Sequence, residues 1–192
     1  MKANRIVIPM VALLFAVVLA LPGCGNSEAK SKVEEAVGVI AATRSVQDDL
    51  MSLNQRLNAL GTRSSNVEDT IAEGKSLVEI ALMDLDELET DYARARDILR
   101  EVESMDGAGD YAEYARLALA ALETESEALA VNRLLLTSVW DMLDVLPMAE
   151  SQEQLSYYVE EIDSLTTEVN DLLQQGAAEA AEADRYYREE GL

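Results

Sequence analysis

The chain predicts an all-α fold: an antiparallel up-down-up-down four-helix bundle with coiled-coil-like seams, after an N-terminal signal segment. Three observations point that way. Apolar residues recur in alternating steps of four and three through most of residues 33–192, the spacing that keeps one helical stripe facing a partner. Glycine and proline are nearly absent from those stretches, and no run of alternating β-branched residues suggests a strand. Breaks divide the pattern into four segments of similar length joined by short connections, which favours antiparallel neighbours.

The first helix is expected at 31–60, with a seam through Val39, Thr43, Val46, Leu50, Leu53, Leu57 and Leu60. Gly61 follows as a C-terminal cap, where glycine accepts the left-handed conformation. Ser65 with Glu68 resembles a capping box opening the second helix, 66–104. Its seam is the clearest: Val67, Ile71, Gly74, Val78, Ala81, Leu85, Leu88, Tyr92, Ala95, Leu99 and Val102. Asp106-Gly107-Ala108-Gly109 is a turn, and Asp110 with Glu113 starts the third helix, 111–146. That helix places Tyr111, Leu122, Glu125, Leu129, Asn132, Leu136 and Leu143 on one seam. Glu125 and Asn132 are its polar members, able either to fix register when buried or to lie half-exposed at the seam edge. Pro147 ends it, and Ser151 with Gln154 opens the last helix, 152–188, with its seam through Leu155, Tyr158, Ile162, Leu165, Val169 and Leu172.

Residues 1–23 differ from all that follows. Lys2 and Arg5 make a positive start, and Ile6 to Leu21 is uncharged and almost wholly apolar. That run is short for a membrane span and is followed at once by small residues, the pattern of an export signal. It ends in Leu21-Pro22-Gly23-Cys24. This tetrapeptide resembles the lipobox of bacterial lipoproteins, with leucine three positions before the cysteine and a small residue just before it. The resemblance covers residues 1–24 alone. It implies that Cys24 is alkylated by a diacylglyceryl group, that the chain is cut before it, and that the new amine is acylated, as with palmitate. On that reading residues 1–23 are a signal peptide, 24–32 a lipidated cysteine and polar tether, and 33–192 the bundle domain. The protein would then sit at the cell membrane or outer membrane, lipid-anchored, its mature domain extracytoplasmic. Gly25, rather than aspartate, resembles the outer-membrane sorting pattern. An ordinary secretory signal and an uncleaved anchor helix are the alternatives. Cys24 is the sole cysteine, so no internal disulfide can form.

Charge narrows the partners. The chain carries −22 at pH 7, and without residues 1–23 it has 37 acids against 13 bases, a net −24. Such a surface repels nucleic acid. The chain contains no histidine, which removes Ser-His-Asp and Cys-His triads, His-based zinc sites and the commonest general base. No glycine-rich phosphate loop appears. The expectation is no enzyme, no cofactor and no metal site. Asp84, Asp86, Glu87, Glu89 and Asp91 crowd the second helix, but a rigid helix spreads them around its circumference.

Three clusters remain. Arg94, Arg96 and Arg100 form the one basic group of the helices, a candidate anion site, although Asp91 and Asp97 are spaced to pair with them. Trp140, Tyr157 and Tyr158 flank the 147–151 turn, so that 140 and 158 fall at one level of the bundle. They read either as an exposed partner or ligand surface or as peripheral core. Arg185-Tyr186-Tyr187-Arg188 suits a frayed terminus or a contact at the lipid headgroups. Two functions fit: an envelope lipoprotein serving as a structural or protein-interaction bundle, with homo-oligomers possible, or a small-ligand-binding or sensory accessory domain.

Overall fold

The computed structural model describes residues 27–63, 66–149 and 153–192. The signal segment, Cys24 and the Ser65 and Ser151 caps lie outside the described residues. Among the described residues the fold is all-α, an antiparallel helical bundle of four long arms. Helices α1 (Ser27–Ala42) and α2 (Arg44–Arg63) together make the first arm; α3 (Val67–Glu103), α4 (Asp110–Val145) and α5 (Glu153–Glu190) make the others. A single 3-10 turn, Leu146–Met148, follows α4 and contains Pro147. Close approaches join α1 and α2 to α3, α3 to α4, α4 to α5, and α1 to α4.

The seam of α3 follows its sequence pattern. Gly74, Val78, Ala81, Leu85, Leu88, Tyr92, Ala95, Leu99 and Val102 are all buried. Val67, the first helical residue, is exposed instead, because it lies at the end of the arm, where little remains to cover it. Helix α4 is the central arm and buries more than one stripe. Leu122, Leu129 and Leu136 serve the main core, while Ala128 and Val131 form a smaller cluster with Val169 and Leu173 of α5. A helix buried on two sides loses its amphipathic asymmetry.

The first arm differs from the expected single helix. It starts at Ser27, so residues 27–32, read as tether, are helical. Ala29 and Val33 begin a buried stripe continued by Ala36 and Ile40, which the intervening Glu28, Lys30 and Lys32 mask in sequence. The arm breaks at Thr43. Its stripe runs Ala36, Ile40, Thr43, Val46, Leu50, with two successive steps of three. That is a three-residue interruption of the heptad, which overwinds the helix locally. The Thr43 N–H and hydroxyl both donate to the Ile40 carbonyl, at 3.2 and 2.8 Å. Val39, expected on the seam, is only half-buried as a result.

Helix ends also depart from expectation. Helix α2 continues through Gly61 to Arg63, so Gly61 is no cap. Asn66 caps α3, its side chain accepting from the Glu68 N–H at 3.0 Å. Gly109, with φ 58° and ψ −129°, precedes α4 without a side-chain cap, and Asp110 is the first helical residue. A carboxylate there still complements the helix dipole. The C-terminus is a closed cap rather than a frayed end. Gly191 has φ 68° and the Leu192 N–H donates to the Tyr187 carbonyl at 3.2 Å, with Leu192 buried.

Candidate functional site

Three places carry candidate chemistry: the tip formed by the α2–α3 and α4–α5 connections, the arginines of α3, and a polar layer at mid-bundle.

At the tip, Val67 (56 % exposed), Met148 (72 %) and Tyr157 (67 %) are large apolar residues left in solvent. All three follow or occupy the two connections at that end of the bundle. Tyr157 stacks edge-on against Tyr158 at 5.5 Å between ring centroids. Trp140 does not join them in any ring contact among the described residues. It is half-buried against the main core with the Lys75 ammonium 5.0 Å from its ring centroid, and Lys75 in turn pairs with Asp144. Equal distance from a turn sets two residues at one level, but they meet only on facing stripes. Trp140 turns toward α3 and belongs to peripheral core. Tyr157 is the exposed member.

The arginines separate. Arg94 pairs across to Glu35 of α1 at 3.3 Å, while Arg100 meets Asp97 at 3.5 Å and Glu123 of α4 at 3.4 Å. Arg96 is half-buried, and its buried Nε has no hydrogen-bond partner. Partners on three different helices mean that Arg94 and Arg100 do not converge on one anion. The exposed pairs add little stability. A fourth arginine, Arg133 of α4, escaped notice because it stands alone in sequence. It joins the acid run of α3, at 2.5 Å to Asp86 and 3.1 Å to Glu89. Asp84 of the same run is half-buried; burial first, then Asp49 and Glu87, raises its carboxyl above the ordinary value. Among the described residues no group of three or more acids is placed to hold a metal ion.

The mid-bundle layer is the least expected feature. Glu125 is 2 % exposed, at a seam position of α4. Neither of its carboxyl oxygens has a hydrogen-bond partner of normal geometry. The Tyr92 hydroxyl of α3 faces it and favours its charged form, but burial outweighs that and, with the nearby Glu179, pushes Glu125 up to about 7. Tyr92 itself is buried, and its hydroxyl accepts from Gln47 Nε2 at 2.9 Å; Gln47 also reaches the Thr43 hydroxyl at 3.4 Å. Beyond Glu125, Gly176 of α5 leaves no space: a Cβ there would lie 2.9 Å from Glu125 Cγ. Glu179, one turn on, is well supplied with donors, from the Thr124 hydroxyl at 2.7 Å and Gln175 Nε2 at 2.9 Å. The layer therefore crosses all four arms. Sequence spacing flagged Glu125, but not the Thr43–Gln47–Tyr92 chain leading to it.

Farther toward the tip, α2, α3 and α4 enclose a space of about 20 Å³ beside Asn54, Asn132 and Leu135, room for about one water. No family model, curated protein or solved structure matches this chain.

Proposed function

We propose that the protein is a lipid-anchored envelope lipoprotein whose bundle holds a partner-binding tip away from the membrane. The observation that carries this reading is Leu21-Pro22-Gly23-Cys24 at the end of an uncharged apolar run behind Lys2 and Arg5. No described helix is long and apolar enough to cross a membrane, so in this reading attachment rests on acyl chains, two or more of which suffice for stable anchoring. The antiparallel arms put the two tip connections opposite the α3–α4 turn and the C-terminus. Ser27 begins α1 at that second end, where Lys32 pairs with Glu101. Val67, Met148 and Tyr157 then face outward where a tethered bundle reaches farthest. The small-ligand reading has less support: the space between α2, α3 and α4 is far below the roughly 300 Å³ of a usual ligand pocket, and the larger hollow of about 510 Å³ is an open one lined by α5 alone, from Ser164 to Gln175.

The test is Cys24→Ala, expressed in a bacterium with lipoprotein processing. Wild type is expected in the detergent phase of a phase separation, cut before Cys24, and the variant in the aqueous phase. Wild-type protein that retains residues 1–23, or that stays aqueous, would show that no lipid anchor is made.

Tyr157→Ala and Trp140→Ala separate tip contact from packing. Tyr157→Ala is expected to leave the melting temperature within a degree or so, as for an exposed residue, while weakening in-cell crosslinking to envelope proteins. Trp140→Ala is expected to lower stability by about 1–3 kcal/mol, because its half-buried ring packs on the core. Equal crosslinking with and without Tyr157 removes it from the partner surface.

A further inference from the structure

We propose that Glu125 is a pH-sensitive clasp: a proton on its carboxyl holds α5 against α4, and loss of that proton loosens this interface. The argument begins with supply and demand for hydrogen bonds. A buried carboxylate needs donors on both oxygens or an adjacent cation. Glu125 has neither a normal hydrogen bond nor an ion pair. From α1 and α2, Thr43 and Gln47 reach only as far as Tyr92. From α3, the Tyr92 hydroxyl is the one donor facing the carboxyl. From α5 come Gly176, which brings no side chain, and Glu179, which brings like charge. On α4 itself, Thr124 spends its hydroxyl on Glu179.

The two neighbouring carboxyls are thus treated oppositely. Glu179 has two donors and sits toward solvent, whereas Glu125 is deep and without normal hydrogen bonds. Environments that differ so far drive a proton onto the poorer-solvated member. The fit at Gly176 is close enough that even a Cβ there would meet the Glu125 methylene. A proton neutralises the carboxyl without moving a helix. Once it leaves, the charge must be hydrated, and the contact that opens most readily is the one against Gly176, where no side chain interlocks.

The sign follows from linkage. An acid whose pKa is raised by folding, here from 4.5 to about 7, favours the folded state most at low pH. That contribution is withdrawn as pH climbs between those two values. Wild type and Glu125→Gln are to be melted from about pH 5.5 to about pH 8. Relative to the variant, wild type is expected to lose roughly 4–8 °C over that range. Hydrogen exchange of the wild type, corrected for its intrinsic pH dependence, is expected to lose protection at 121–129 and 172–183 before the α3 seam does. Glu179→Gln removes the like charge and is expected to move the midpoint to lower pH. Should Glu125→Gln not fold, the wild-type exchange and the Glu179→Gln midpoint decide alone. Parallel pH profiles for wild type and Glu125→Gln, protection lost evenly along the arms, or a midpoint unmoved by Glu179→Gln would each overturn the proposal.

Discussion

Leu85→Asp is expected to unfold the bundle, while Glu87→Gln two residues away leaves its melting curve nearly unchanged. Leu85 is fully buried near the middle of α3, on the seam that meets the neighbouring arms. Removing its side chain from the core forfeits about 2–3 kcal/mol of apolar burial. The new carboxylate then lies in the same dry stripe between Ala81 and Leu88, and an uncompensated buried charge costs several kcal/mol more. Asp84 and Asp86 flank it in sequence, so its neighbours add repulsion rather than a counter-charge. Together these approach the 5–15 kcal/mol by which a domain is normally stable. Glu87 is exposed and makes no ion pair among the described residues. Circular dichroism melts of both variants check this. Matching melting temperatures would mean that the α3 stripe does not face the core.

That prediction rests on the part of the fold most legible in the sequence. A seam sustained over five heptads averages away local exceptions, so the α3 stripe could be read from Gly74 to Val102 without knowledge of its partners. The first arm resisted the same reading because its pattern changes phase at Thr43. A threonine that bonds back to Ile40 looks like an ordinary polar seam position until the backbone is seen. Helix ends were legible to within a few residues, yet the capping residue of α3 was Asn66, since several polar residues in a row compete for that place. The candidate site residues divide along the same line. Glu125 announced itself by sitting on an apolar seam. Arg133 and the split of Arg94 from Arg100 depend on which neighbour each helix face meets, and spacing along one chain does not contain that. Equal distance from the turn sets Trp140 and Tyr158 at one level, but rotation about each helix axis decides what packs: Trp140 lies against the core, while Tyr157 projects.

Gly176→Leu is expected to destabilise the bundle by about 3 kcal/mol, and the smaller Gly176→Ala to change sign with the residue at 125. In a helix interior, alanine is normally favoured over glycine by about 1 kcal/mol. Gly176 is buried well inside α5, so propensity alone predicts that Gly176→Ala stabilises. The packing predicts the reverse. A Cβ at 176 would come within 2.9 Å of Glu125 Cγ, and 3.7 Å of the Ala121 carbonyl oxygen. Cγ is close to the α4 backbone and cannot swing away as a side-chain tip could, so the two helices must part. Overpacking of this kind typically costs 1–3 kcal/mol, with leucine at the upper end. Glu125→Ala removes the obstructing methylene. In that background Gly176→Ala is expected to recover its ordinary gain of about 1 kcal/mol, giving a strong favourable coupling in a double-mutant cycle. Chemical denaturation near pH 5.5 is the suitable measurement, because Glu125, at about 7, is then mostly neutral and its charge does not enter the comparison. If Gly176→Ala stabilises equally in both backgrounds, α5 does not rest on Glu125, and the close approach between these helices lies elsewhere along α4.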